Sequence, residues 1–295
     1  MVDTVLSGGW IIDGTRTPPY QADLCIQDGK IVAISPQWEG NCRTRVDVTG
    51  KIVSPGFIDI HTHSDTCPFS AVFPESKVAQ GITLEIVGNC GVSAVPILPS
   101  CQAEQTAYLR KISEIPVPEE AVRDASVQKY AAHVAQTGYP SHLGTLIGQG
   151  TLRAGIVGFQ DRPLTPSEME QMKFLLDDQL NQGALGLSLG LIYPPGSFSP
   201  TSELRELARV VQKHKKILAV HMRNEGPNIF QAVEEMLSIA EETGVHLHIS
   251  HLKLMGKAQW GQAPRLLERI EASRQRGAVV TCDQYPYTAT STILA

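Results

Sequence analysis

The sequence predicts an α/β chain, a TIM-type (β/α)8 barrel preceded by a small β-sandwich unit, and three features carry that expectation. Short apolar runs broken by Asp-Gly and Gly-Gly fill the first 53 residues. From residue 57 onward, runs of strand length alternate with amphipathic helical stretches, the pattern of βα units around a parallel sheet. Histidines and one cysteine fall at the C-terminal ends of several of those strands, the end where such barrels keep their reactive groups.

Within residues 1–55, Val5-Leu6, Trp10-Ile11-Ile12, Leu24-Cys25-Ile26, Ile31-Val32-Ala33-Ile34 and Val46-Asp47-Val48 read as strands. They are separated by Gly8-Gly9, Asp13-Gly14, Asp28-Gly29 and Thr49-Gly50, and Asp-Gly between apolar runs is a hairpin signal. Nothing in this unit carries chemistry. Residues 56–295 then read as an incomplete barrel with strands at 57–61, 82–88, 142–147, 184–189, 217–221, 246–250 and 278–282. Thr165-Pro166-Ser167-Glu168 is a capping box with proline in the first turn, followed by Met169, Met172, Leu175 and Leu176 on one face. Leu204, Leu207, Ala208 and Val211 repeat that spacing, and a further helix from Ile229 is closed by Gly244. A full barrel needs roughly 250 residues, about 30 per βα unit. After the seventh strand comes only the loop-like Thr288-Ala289-Thr290-Ser291-Thr292, so one stave is expected to be missing and the chain to be C-terminally truncated.

Composition narrows the partners. The chain has 295 residues, 42% of them hydrophobic and 19% charged, with a formal net charge of −5. The short Lys213-His214-Lys215-Lys216 helix end is its one basic cluster, which argues against nucleic acid and anionic membrane as partners. No apolar run reaches membrane-spanning length and the N-terminus lacks a leader pattern, so a soluble cytoplasmic protein is expected. Six scattered cysteines suggest no disulfide framework; five read as small apolar fillers, and Cys90 stands apart.

In Phe57-Ile58-Asp59-Ile60-His61-Thr62-His63 the two histidines share a strand face. Gly88-Asn89-Cys90-Gly91 ends the second strand, His221 the fifth and His251 the sixth. Zinc accepts thiolate and imidazole, so Cys90, His221 and His251 would supply three ligands, with His61 and His63 beside them for a second or weaker metal. Taken singly, each is as easily a hydrogen-bonded core histidine or a small residue in a turn; joint placement at four strand ends is what points to a metal. His133, His142, His214, His246 and His248 lack that placement and read as structural.

Pro55-Gly56-Phe57 through Asp65, Gly88-Asn89-Cys90-Gly91, Tyr193-Pro194-Pro195-Gly196, His221-Met222-Arg223-Asn224-Glu225-Gly226, Ser250-His251-Leu252-Lys253 and Asp283-Gln284-Tyr285-Pro286-Tyr287 together resemble the N-acyl-D-amino-acid deacylase (D-aminoacylase) branch of the amidohydrolase superfamily. The resemblance implies zinc-dependent hydrolysis of an N-acyl-D-amino acid, a small-molecule substrate, to a carboxylate and a D-amino acid. It implies a tight zinc on Cys90, His221 and His251. Around a second position it puts His61, His63 and an eighth-strand aspartate that serves as general base and acid. No residue of this sequence occupies that aspartate's place; Asp283 belongs to the seventh strand and is expected to cap or support. Asp65 and Glu225 are expected to orient histidines. Lys253 and Tyr285 would bind the substrate's α-carboxylate, with Tyr193 and Ser291 nearby, while Arg223 reads equally as a structural ion-pair partner. Relatives of the dihydroorotase and hydantoinase type bridge two metals with a modified lysine on the fourth strand; here Ala184-Leu185-Gly186-Leu187-Ser188-Leu189-Gly190 has none, and a cysteine bridge is the implied substitute. A cyclic-amide hydrolase and a non-catalytic metal-binding fragment are the alternatives.

Overall fold

The computed structural model describes residues 1–70, 73, 75–113 and 125–292. The chain divides into two compact units, Met1–Phe57 and Ile58–Ala295.

The first unit is a five-stranded sheet of β1 (Val2–Ile11), β2 (Tyr20–Gln27), β3 (Lys30–Ser35), β4 (Cys42–Asp47) and β5 (Ile52–Val53). β1 to β3 form an antiparallel meander, and β4 and β5 both run parallel to β1. Asp28 and Gly29 both take positive φ, 51° and 69°, as the two-residue hairpin turn between β2 and β3 requires. Gly8-Gly9 differs from expectation: it does not separate two strands but forms a bulge inside β1, between Leu6 and Gly9. There the buried Asp23 carboxylate accepts from Gly8 N–H at 2.9 Å and from Trp38 N–H at 3.0 Å, and that pairing replaces the ladder bonds the bulge loses.

The strands that follow make seven staves in chain order among the described residues: β6 (Phe57–Asp59), β7 (Ile82–Val87) and β8 (His142–Thr145) in one sheet, and β9 (Ile147–Gly148), which continues β8, β10 (Gly186–Gly190), β11 (Ile217–His221), β12 (His246–Ile249) and β13 (Val280–Cys282) in a second; every pairing from β7 to β8 and from β9 to β13 is parallel. β8 and β9 are one stave interrupted at Leu146, whose N–H still donates to Val87 at 2.9 Å. Among the described residues no strand pairs with the outer side of β13. The helices that return the chain between staves are α1 (Ser76–Ala79), α2 (Gln102–Leu109), α3 (Val127–Thr137), α4 (Gln149–Val157), α5 (Pro166–Asn181), α6 (Thr201–Lys213), α7 (Ile229–Thr243) and α8 (Ala263–Gln275). The capping box at Thr165 is formed in both directions, Glu168 N–H to Thr165 Oγ1 and Thr165 N–H to Glu168. Leu204, Leu207, Ala208 and Val211 of α6 are fully buried, and α7 ends on Gly244 in the left-handed conformation. These faces pack on Leu187, Leu189, Leu218, Val220, Leu247 and Ile249 of the central staves, a core continuous enough to hold the strand ends rigidly. No helix among the described residues is long and apolar enough to cross a membrane.

Candidate metal centre

The site is built on backbone that only unusual residues permit. Beyond β7 the chain turns through Gly88, Cys90 and Gly91 with φ of 78°, 52° and 77°. A Cβ on Gly88 would lie 2.1 Å from the Leu146 carbonyl oxygen, which explains both the glycine and the break between β8 and β9. Across the loop, a Cβ on Gly190 would meet the Cys90 carbonyl oxygen at 2.0 Å. Buried polar bonds hold the turn: Ser188 Oγ donates to Gly88 O at 2.5 Å and accepts from Gly91 N–H at 3.0 Å, and Asp65 Oδ1 accepts from Gly88 N–H at 2.9 Å. Gly190→Ala is therefore expected to push Cys90 out of place and cost about 1–3 kcal/mol of stability, as core overpacking does. Thermal denaturation read beside zinc retention checks both effects.

Cys90 Sγ lies 3.3 Å from His61 Nε2 and 3.5 Å from His251 Nε2. The other nitrogen of His251, Nδ1, faces Glu225 Oε1 at 2.9 Å, and that oxygen is 4.0 Å from His221 Nε2. Two overlapping groups result, His61–Cys90–His251 and His221–Glu225–His251, each with its ligand atoms within 4.8 Å of one another. His251 is common to both. It too sits at positive φ, 38°, where its N–H donates to Asp283 Oδ1 at 2.5 Å. The second oxygen of Asp283 meets His61 Nδ1 at 3.2 Å and His248 Nε2 at 2.9 Å. One carboxylate after β13 thereby fixes a histidine from the first stave and one from the sixth.

The residues fit a metal. Both ring nitrogens of His221 and Nδ1 of His63 are buried without a hydrogen-bond partner, an uncommon state for polar atoms unless something else engages them. Burial, reinforced by neighbouring positive groups, lowers the His221 pKa to about 3 and that of His63 to about 4, so at neutral pH both present free lone pairs. Burial pushes the Cys90 thiol well above its ordinary value, and the negative charges of Asp283 and Glu225 push it further; a cation at this point reverses that balance. Burial also opposes the charge on Glu225, but bonds and charges from His251, His221 and Lys253 outweigh it and hold the carboxyl down at about 2.

A cavity of about 460 Å³ opens onto these groups. All nine residues that the sequence assigns to metal or substrate lie on its wall: His61, His63, Cys90, His221 and His251, and with them Tyr193, Lys253, Tyr285 and Ser291. Several placements differ from expectation. β6 ends at Asp59, so His61 and His63 meet, with ring centroids 5.7 Å apart, on irregular backbone beyond the strand. Cys90 groups with His61 and His251, while His221 groups with Glu225. Lys253 Nζ is bound to Glu225 Oε1 at 2.6 Å and lies 5.6 Å from the centre of the Tyr285 ring. Asp65 supports the Gly88 turn rather than a histidine. Arg223 pairs with Glu235 at 2.9 Å and caps the Ser197 and Ser199 carbonyls, the structural alternative. Glu225 as a member of a ligand group, and the Asp283–His248 pair, were not found from sequence. The signal for the second was the His246-Leu247-His248 alternation opposite Thr281 in parallel register.

Imidazoles, a thiol and a carboxylate gather where the strands of the parallel sheet end, a donor set that could hold a metal ion. A family model described as Amidohydrolase family matches residues 44–279, and the chain belongs to that family. It is 36% identical to the D-aminoacylase of Alcaligenes xylosoxydans xylosoxydans over 99% of its own length and 59% of that protein's. It is 34% identical to the N-acyl-D-aspartate deacylase of the same organism, over 99% of the chain and 57% of the relative. Among solved structures, the N-acyl-D-glutamate deacylase of Bordetella bronchiseptica, complexed with zinc and a phosphonate mimic of the tetrahedral intermediate, superposes with a TM-score of 0.87. Identity there is 37%, over 97% of this chain and 59% of that one. The chain thus spans less than two thirds of the relatives it matches, and the resemblance to the D-aminoacylase branch is borne out along nearly all of it.

Proposed function

We propose that the protein hydrolyses the amide bond of N-acyl-D-amino acids, with zinc held by this cluster. The observation that carries the proposal is that one cavity wall brings together a thiol, three imidazoles and a carboxylate in two ligand groups, with a lysine, tyrosines and a serine beside them. Cys90 and His251, with His221, would hold the tighter ion, and His61 and His63 a second, weaker one. The approach of Cys90 Sγ to both His61 and His251 supports a thiolate shared between the two positions. Zinc there supplies Lewis acidity toward the amide carbonyl and toward water.

The chain's own residues bind and orient. Lys253 Nζ bonds Glu225 Oε1 at 2.6 Å and lies at longer range from His251 Nδ1, 3.2 Å, and His251 O, 3.3 Å; a substrate α-carboxylate would take a donor from these weaker contacts, and Tyr285 and Ser291 add hydroxyls on the same wall. Tyr193 packs edge-on to His221 with centroids 4.8 Å apart, and its hydroxyl lies 2.6 Å from Thr292 Oγ1, which pins the 288–292 loop over the cavity. Asp283 already takes three donors and so positions histidines rather than moving the substrate's proton. No disulfide joins any of the cysteines among the described residues, which suits a reducing compartment such as the cytoplasm.

The test is an assay of the zinc-loaded protein on N-acetyl-D-methionine, N-acetyl-D-glutamate, N-acetyl-D-aspartate, N-acetyl-L-methionine, hydantoin and dihydroorotate. Hydrolysis of one or more of the D-compounds, abolished by a chelator, is expected; turnover confined to the cyclic amides would overturn the proposal. Zinc binding must also expel the Cys90 proton, because burial keeps the thiol protonated near neutrality. Calorimetry in buffers of different ionisation enthalpy is expected to show about one proton released per tight zinc. Apparent affinity should rise with pH, since protons compete for the same sulfur.

A further inference from the structure

We propose that Lys77, which lies outside the cavity, is a positioning residue for His61 and His63. It grips the chain that presents them from behind. The inference rests on the metal assignment above.

β6 ends at Asp59, so the ladder does not aim the two histidines. Of the bonds from this segment to its neighbour, the Thr62 N–H to Ile86 carbonyl bond is long, at 3.3 Å. What holds residues 59–64 is a polar knot of the buried Thr62, Ser64 and Glu85 with the half-buried Lys77 and Asp59. The Lys77 ammonium contacts Thr62 Oγ1, reaches Ser64 Oγ at 2.8 Å and Asp59 Oδ2 at 3.2 Å, and pairs with Glu85 Oε2 at 2.7 Å. Thr62 and Ser64 bond to each other at 3.0 Å and are both buried, while His61 and His63, which alternate with them, line the cavity. One cation therefore binds the alternate residues whose neighbours are the ligands.

The far side of the knot is anchored in the sheet. Glu85 sits on β7, is 1% exposed, and accepts from Ser141 Oγ at 2.5 Å and from Tyr139 OH at 3.2 Å, just ahead of β8. Burial works against the Glu85 charge, but bonds from Lys77, Ser141 and Ser64 hold its carboxyl below its ordinary value. Lys77 thus ties the irregular extension of the first stave to the second and third. Without it, Thr62 and Ser64 lose their common donor, Glu85 is left as a buried unpaired charge, and the imidazoles lose the reference that sets their separation from Cys90.

Cobalt titration of the metal-free protein tests this, because a thiolate–cobalt absorption band reports the Cys90 environment without any turnover. Lys77→Met is expected to weaken cobalt binding at the second position about 10–100-fold, the range for loss of a partner that orients ligands, and to alter the band of the thiolate that approaches both positions. Since that variant also strands the buried Glu85, a double variant, Lys77→Met with Glu85→Leu, removes both partners of the pair; it should melt at a higher temperature than Lys77→Met yet bind cobalt no better. Lys77→Arg should recover part of the affinity. Wild-type affinity and an unchanged band in the double variant would overturn the inference, and should Lys77→Met fail to fold, the double variant decides. A wild-type protein that takes up no cobalt would instead sink the metal assignment, and this inference with it.

Discussion

Cys90→Ala is expected to abolish tight zinc binding and, with it, hydrolysis. Losing a partner that only orients a ligand costs about 10–100-fold in metal affinity, so loss of the one sulfur in the cluster should exceed that. Backbone strain is the same for both residues at φ 52°, because alanine and cysteine each carry a Cβ. The methyl fits a site that is only 8% exposed, and the fold should survive. Zinc content after dialysis, set beside the melting temperature and the rate on the D-substrates, separates lost metal from lost structure. A folded Cys90→Ala protein that keeps stoichiometric zinc and turnover would remove the site assignment.

Asp283→Ala carries the second large effect. This side chain takes His61 Nδ1, His248 Nε2 and the His251 N–H, and a buried donor left unpartnered costs about 1–3 kcal/mol. Stability is therefore expected to drop by several times what a surface substitution produces, and metal affinity by about 10–100-fold. Asp283→Asn keeps the shape and should regain stability more fully than affinity. Burial opposes the Asp283 charge, yet bonds from His248, His61 and the His251 backbone hold its pKa below the ordinary aspartate value. A carboxyl depressed in the folded state contributes stability that is complete above the unfolded aspartate pKa of about 3.9 and is lost as the pH falls through the folded value. Acid unfolding should accordingly be steeper in the wild type than in Asp283→Asn, as urea titrations at pH 3 and pH 6 would show. Equal losses in the two proteins would mean that Asp283 does not hold the histidines.

Much of the fold was legible because it is encoded locally. The capping box at Thr165, the apolar face from Leu204 to Val211 and the left-handed stop at Gly244 are each specified within a few residues and formed in place, and each of the seven strand-length runs contains a strand, though the first stops at Asp59 and the third breaks at Leu146. The nine site residues reached one cavity because equivalent strand ends in a parallel barrel point to the same mouth. What the sequence hid is partnership across the chain. Lys253 looks like a free cation until Glu225, from a different loop, is placed 2.6 Å away. Asp283 looks like a capping residue until the mouth brings His61, distant by 222 positions, within 3.2 Å. Gly8-Gly9 carries a turn signature, and only the buried Asp23 carboxylate converts it to a bulge. These are long-range electrostatic choices, and periodicity carries no record of them.

X-ray absorption at the zinc edge of the loaded protein asks the decisive question directly. A scattering shell of one sulfur near 2.3 Å with nitrogen and oxygen near 2.0–2.1 Å is the predicted result, and it should disappear with Cys90→Ala. A zinc environment made up wholly of nitrogen and oxygen would contradict the convergence of Cys90 with these histidines on one cation.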